Sequence, residues 1–260
     1  MTSLLAQTCC VDTSPLHSGS TVDDTMQFLF TWVFWLSVAL GSIVAALLLF
    51  AYFRFRRRSD DDEPAQFHGN TRLEITWTLI PLAIFLSLFG LTAYNMPFVN
   101  DAPASTTMNV TVIGVQFAWS FDYGAGSDGK RVQSFGTLYL PENTNVTLQV
   151  VSTDPPCKRP TVSAGQSFPA TLAAEGCGVN HSFYVPSLAG QINAMPGQVN
   201  HLWFNARRGT YYGQCTELCG VGHNTMLLTV VVLRMNDFQS CVFGNPTINP
   251  SSPSCKPGGS

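Results

Sequence analysis

Two thiols, an imidazole and a thioether fall within Gly213-Gln-Cys-Thr-Glu-Leu-Cys-Gly-Val-Gly-His-Asn-Thr-Met226. Three residues separate Cys215 from Cys219, His223 stands four after Cys219, and Met226 stands three further on, so one glycine-rich loop can turn all four side chains to one centre. Thiolate and thioether suit copper(I), zinc and iron-sulfur, and imidazole suits copper as well. The cysteine pair alone is also compatible with a disulfide or a structural zinc site. His223 and Met226 at this spacing favour copper, because zinc has little use for a thioether. A mononuclear blue-copper site needs only one thiolate, so the second cysteine argues for two metal ions bridged by two sulfurs, which can share one electron. His181, in Asn180-His-Ser-Phe-Tyr-Val-Pro186, is a further candidate ligand.

Such a site needs a rigid frame. From Ala104 to Leu233 the chain carries short β-branched runs, at Met108–Val115, Phe135–Leu140, Asn145–Val151, Asn200–Asn205 and Met226–Leu233, with Gly, Pro and Asn between them. Strands at this spacing predict a Greek-key β-sandwich. The Cys215–His223 loop then joins two late strands, and His181 is presented to it from another edge. His201 interrupts a strand pattern and is read as a surface histidine.

Charged residues are 11% of the 260-residue chain, against about a quarter in ordinary soluble domains. Part of the chain is therefore expected in lipid. Met26 to Phe55 is almost continuously apolar, with no charge before Arg54, and exceeds the roughly 20 residues needed to cross a bilayer. A second span runs from about Ile75 to Met96, where Pro81 is tolerable because neighbouring groups can absorb a missing hydrogen bond. Arg54, Arg56, Arg57 and Arg58 lie between the spans, ahead of the acidic cluster Asp60 to Glu63. Orientation follows Lys and Arg, so this loop stays on the cytoplasmic or matrix side and both termini face outward.

Residues 1–25 read as an exposed polar leader, without the basic region and apolar run of a secretory signal. Residues 26–96 form the transmembrane hairpin, 104–235 the β-domain and 236–260 a Pro/Ser-rich tail. The fold class is a membrane-anchored all-β protein. Eight cysteines are more than a reducing cytosol usually tolerates outside metal sites. Net charge, at -3, decides nothing, and no nucleic-acid partner is expected.

At the cysteine loop the chain resembles subunit II of haem-copper cytochrome c oxidases, a resemblance that extends from about Gln27 to Val232. It implies a two-helix hairpin followed by a cupredoxin domain with a dinuclear copper A centre. The implied metal residues are Cys215 and Cys219 as bridging thiolates, His181 and His223 as terminal imidazoles, Met226 as a weak thioether and Glu217 through its carbonyl. The Glu217 carboxylate would reach a magnesium ion shared with subunit I. Implied partners are the haem-bearing subunit I, other oxidase subunits, the bilayer and cytochrome c as donor. The implied location is a bacterial inner membrane with the domain on the periplasmic side, or the mitochondrial inner membrane. In the stretch His68-Gly-Asn-Thr-Arg-Leu-Glu74, the Glu74 carboxylate three residues before Trp77 corresponds to a proton-path entrance, or alternatively caps a helix start.

Departures from the family pattern are informative. In Gly114-Val-Gln-Phe-Ala-Trp-Ser-Phe-Asp-Tyr123, Phe117 stands where members commonly have the Trp proposed as electron entry, while Trp119 is retained and is equally readable as core packing. Asn193 stands where an Asp is usual. The pattern Ser-x-Asp-Val-x-His is split, since Ser152-Thr-Asp154 is separated from Val179-Asn-His181 by residues 155–178. Cys157 and Cys177, near the ends of this insertion, are expected to form a disulfide worth roughly 3 kcal/mol in the chain-entropy model. Cys241 and Cys255 could staple the tail likewise. The domain's charges nearly balance, Glu217 is expected to be buried at the metal, and Lys158 and Arg159 add positive charge. The expected donor is thus a neutral, acidic or membrane-tethered cytochrome c. A quinol-oxidase subunit would lack the ligands, a copper carrier would not need the second span, and nitrous-oxide reductase needs a catalytic domain too large for this chain.

Overall fold

The computed structural model describes residues 18–56, 69–126, 129–154, 168–174, 176–244 and 248–257. The described residues form two compact units. One holds residues Phe28–Pro97, and the other holds the described residues up to Gln27 together with those from Phe98 onward.

The first unit is built from the greater part of two long helices, α1 (Thr21–Arg54) and α2 (Thr71–Asn100). Both are long and apolar enough to cross a membrane. Large side chains such as Trp35, Phe53, Phe85 and Phe89 are exposed around them, as suits a lipid surface or partner helices. The start of α2 is fixed by a reciprocal cap. Leu73 N–H donates to Asn70 Oδ1 at 3.3 Å, and Asn70 N–H donates to Glu74 Oε1 at 3.1 Å, which satisfies donors that a helix start otherwise leaves unpaired.

The second unit is a sandwich of ten strands: β1 (Met108–Val115), β2 (Ala118–Ala125), β3 (Arg131–Phe135), β4 (Thr137–Pro141), β5 (Asn145–Ser152), β6 (His181–Val185), β7 (Ala189–Ala194), β8 (Asn200–Asn205), β9 (Gly209–Cys215) and β10 (Leu227–Leu233). One sheet has the order β3-β2-β1-β5-β8 and the other β4-β10-β9-β6-β7. The β1–β5 and β4–β10 pairs are parallel and the other ladders antiparallel. Trp119, Phe121, Leu148, Phe183, Met226 and Val230, all fully or almost fully buried, fill the space between the sheets.

The expected strand over Phe135–Leu140 is two strands. The chain turns at Gly136, whose φ is +67°, so β3 closes the edge of one sheet and β4 opens the edge of the other. A positive φ is a glycine-compatible corner that an apolar count does not register. The described part of the expected exposed leader also differs. Val22 is fully buried in the sandwich core, and Ser20 is buried too. Ser20 bridges Ala206, Gly19 N–H donates to Ser187 O at 2.6 Å and Arg207 N–H donates to Gly19 O at 2.8 Å. Asp24 pairs with Arg207 at 2.5 Å. A strand edge thus captures a polar segment through its backbone, which polarity alone cannot reveal.

Alternation fails in β1, where five consecutive residues are buried. The second face of its sheet is covered by the short helix α3 (Phe168–Ala174): Leu172 and Ala173 pack on Ile113 and Val151. Arg131 links this helix to the sheet. It pairs with the buried Asp122 and its guanidinium lies 3.7 Å from the centre of the Phe168 ring. The tail is stapled to helix α4 (Met235–Val242) by a Cys241–Cys255 disulfide. Cys177 is disulfide-bonded. Its expected partner Cys157, like Lys158, Arg159, Cys9 and Cys10, lies outside the described residues.

Candidate metal centre

The centre forms at one end of the sandwich. β6 starts at His181 and β9 ends at Cys215, and the two strands pair through Phe183 and Cys215, so the first histidine and first cysteine come from adjacent strand ends. The loop after β9 then carries Cys219 and, in a short 3-10 turn, His223 before returning as β10. His223 N–H donates to Gly220 O at 3.1 Å, and Cys215 N–H donates to Met226 O at 3.0 Å, which closes the loop at its base.

Ligand atoms of His181, Cys215 and Cys219 lie within 4.8 Å of one another, and all three residues are buried. Cys215 Sγ is 3.9 Å from Cys219 Sγ and 4.0 Å from His181 Nδ1. Cys219 Sγ is 3.7 Å from His223 Nδ1 and 3.9 Å from Met226 Sδ. The Cys215 thiol donates to the Glu217 carbonyl at 3.2 Å. Burial, then the neighbouring Cys215, push the Cys219 thiol up to about 11. Metal entry must therefore displace protons, as it does wherever thiolates are ligands. Two thiols, the His181 imidazole and a buried thioether, with the half-buried His223 at the rim beside Cys219, fit a soft metal, and the cysteine pair is not a disulfide.

The His181 ring is oriented from behind. Its Nε2 lies 3.2 Å and 3.4 Å from the two oxygens of Asp154. An ionised carboxylate only accepts, so Nε2 carries the proton and the Nδ1 lone pair faces the thiols. Asp154 also accepts from Val179 N–H at 2.8 Å and from Gln116 N–H. Burial is the largest single influence on Asp154 and raises its pKa, but the His181, Val179 and Gln116 donors together outweigh it and hold the carboxyl below its ordinary value. The Gln116 side chain reaches the other way and donates to Cys219 O at 2.5 Å. Sequence reading passed over Gln116, and only its place next to Phe117 could have drawn attention to it.

Phe117 is half-buried and lies against the loop: a Cβ at Gly222 would fall 2.5 Å from its ring, so the glycine admits the aromatic face. Trp119 is fully buried, edge-on to His181 with centroids 6.1 Å apart and to Phe183 with centroids 5.4 Å apart. Its indole Nε1 has no hydrogen-bond partner among the described residues. The Glu217 side chain is exposed rather than buried, because the backbone turns its carbonyl inward. Leu218 is 80% and Val221 100% exposed beside it. Glu74 lies far along the sequence, in the cap of α2, and is not part of this cluster. His201 and Asn193 are exposed on the sandwich.

The fold and site define a class: a two-helix membrane anchor carrying a cupredoxin-like sandwich with a buried soft-metal site. The description "Cytochrome C oxidase subunit II, periplasmic domain" matches residues 108–233, and its transmembrane counterpart matches residues 15–96. The chain belongs to the cytochrome c oxidase subunit II family. It is 33% identical over 216 residues to cytochrome c oxidase subunit 2 of Alkalihalophilus pseudofirmus, a match that covers 80% of this chain and 55% of that protein. It is 32% identical over 176 residues to the subunit 2 of Wickerhamomyces canadensis, covering 66% of this chain and 68% of that one. The periplasmic domain of subunit II from Bradyrhizobium japonicum is similar at 24% identity and a TM-score of 0.40, over 54% of this chain and 92% of that one.

Proposed function

We propose that this chain is the electron-accepting subunit of a terminal respiratory oxidase. His181, Cys215, Cys219, His223, Met226 and the Glu217 carbonyl would hold two copper ions. The observation that carries this reading is the buried convergence of His181, Cys215 and Cys219 in a chain of the subunit II family. A copper pair held there supplies one-electron transfer. The protein's own residues keep that transfer cheap by changing little: Asp154 fixes the tautomer and tilt of His181, Gln116 braces the Cys219 carbonyl, and strand ends hold His181 and Cys215 at the base of the loop that carries the rest. Burial of His181 and Met226 at 0% exposure keeps water out.

Electrons would come from cytochrome c and leave to haem in subunit I, where oxygen is reduced and protons are pumped. The exposed Glu217 carboxylate supports a magnesium ion shared with that subunit. Glu217 is the only charged residue from Gly213 to Met226, and the exposed Leu218 and Val221 flank it, which supports a neutral, acidic or membrane-tethered donor held by apolar contact more than by charge. Phe117 at the surface of the loop and Trp119 behind His181 are the proposed entry residues, and Glu74 the proposed proton-path entrance by resemblance. Residues 26–96 would anchor the 104–235 domain on the periplasmic side of a bacterial inner membrane, or on the outer face of the mitochondrial one.

The test is the copper content of the purified full chain after copper loading, with its visible and near-infrared absorption and paramagnetic resonance spectra. A pair of coppers sharing one unpaired electron is expected. A single-ion spectrum, or retention of zinc in preference to copper, would sink the reading.

A further inference from the structure

The ligand that departs most from the family spacing is His181, since residues 155–178 separate it from the carboxylate that orients it. In a chain without those residues, covalent continuity would hold Asp154 beside Val179. Here Cys177 is disulfide-bonded, and what that bond leaves free at the ends of the insertion must be set by contacts, against the entropy of a long loop.

We infer that Ser152 and Gly178 are positioning residues for His181, forming a hydrogen-bonded splice that, beside the Cys177 disulfide, makes up for the missing continuity; the inference rests on the copper reading above. The first half of the splice is fixed to the sheet: Thr153 N–H donates to Gly114 O at 3.0 Å, and Gln116 N–H donates to Asp154. The second half, residues 178–181, is bonded to the first. Ser152 Oγ, in a residue 1% exposed, shares its proton between Val179 O at 2.6 Å and Asp154 Oδ2 at 3.2 Å. Val179 N–H returns a bond to Asp154 Oδ2 at 2.8 Å, and that same carboxylate receives His181 Nε2.

Gly178 lets the two segments meet. Its φ is +134°, and a Cβ there would lie 2.9 Å from Asp154 Oδ2, 3.0 Å from Ser152 Oγ and 3.1 Å from Asp154 N. Backbone and space both exclude a side chain. Ser152 touches no ligand atom. It acts by fixing Val179, which fixes the carboxylate, which fixes the imidazole.

The experiment uses the full chain loaded with copper, with Ser152→Ala, Ser152→Thr and Gly178→Ala, and Ser240→Ala on the exposed face of α4 as control. Copper release to a chelator and the copper hyperfine splitting are read alongside far-ultraviolet circular dichroism. Ser152→Ala and Gly178→Ala should release copper about ten-fold faster and alter the splitting, with the sandwich signal retained. Ser152→Thr, which keeps the hydroxyl, should restore both. Loss of packing alone would not be rescued by a larger side chain in a buried place. If Ser152→Ala releases copper at the unaltered rate with the unaltered splitting, or if Ser152→Thr is as impaired as Ser152→Ala, the splice is refuted. Should Gly178→Ala fail to fold, the two Ser152 variants decide alone. An unaltered chain that takes up no copper pair would overturn the copper reading and this inference together, whereas one that does, with Ser152→Ala indistinguishable from it, overturns the inference only.

Discussion

Met226 serves both the core and the metal, and the two duties can be separated. Its side chain is fully buried between the sheets, and its sulfur lies 3.9 Å from Cys219 Sγ. Met226→Leu keeps nearly all the apolar volume and removes the thioether. Volume-conserving exchanges of this kind usually cost less than about 1.5 kcal/mol. Met226→Ala removes both and leaves a cavity, at about 2 to 5 kcal/mol. At about 2 to 4 °C per kcal/mol for a domain of this size, the copper-free chain should melt less than about 6 °C lower with Leu, and about 4 to 20 °C lower with Ala. The assay is thermal unfolding of the copper-free chain in detergent by tryptophan fluorescence, followed by redox titration of the copper-loaded form. Met226→Leu should keep its copper and shift the midpoint potential, because axial thioethers tune more than they hold. If Met226→Leu leaves both the potential and the spectrum unchanged, Met226 is a core residue alone and its place in the ligand set is wrong.

Three further outcomes follow from the same geometry. Cys215→Ser and Cys219→Ser should each abolish the dinuclear spectrum, since a bridging thiolate serves both ions; a full copper complement with an unchanged resonance spectrum in either variant would contradict the copper assignment. Asp154→Asn should weaken copper retention by about 10 to 100-fold, because an amide can present a donor where His181 needs an acceptor; equal retention in a chelator competition would show that the ring is oriented by packing against Trp119 instead. Reduction by a strongly basic cytochrome c should depend weakly on ionic strength, given a copper loop with Glu217 as its single charge; stopped-flow rates near the diffusion limit at low salt that collapse at physiological salt would refute that reading of the docking face.

The parts of this protein legible in its sequence were those set by local chemistry. Cys215, Cys219, His223 and Met226 draw the eye because one loop carries them, and the β-branched runs of β1, β5 and β10 and the apolar run of β8 fall where the strands are. What stayed hidden depended on contacts far apart in the chain. β6 and β9 read poorly because Ser182, Gly213 and Gln214 interrupt their apolar pattern. The continuous burial of β1 required knowing that α3 would return to cover it. Asp154 and His181 were recognised as parted, but that Ser152, Gly178 and Val179 bring them back together is a property of tertiary hydrogen bonds.

The capture of residues 18–24 by the sandwich bears on how the chain is threaded and on how it can be cut. Ser20 precedes α1 and Asp24 lies in its first turn, while their partners Leu188, Ala206 and Arg207 follow α2. Residues 18–24 must be on the same side of the bilayer as a surface made more than a hundred residues later, so two crossings are demanded by contact as well as by the arginines between the spans. A soluble fragment begun at Phe98 would keep every metal residue yet lack Val22, whose burial is worth about 1.5 to 3 kcal/mol, and would leave the Leu188 and Ala206 edge open to pair with another chain. Such a fragment would be prone to self-association at an edge that the longer chain closes with residues 18–24.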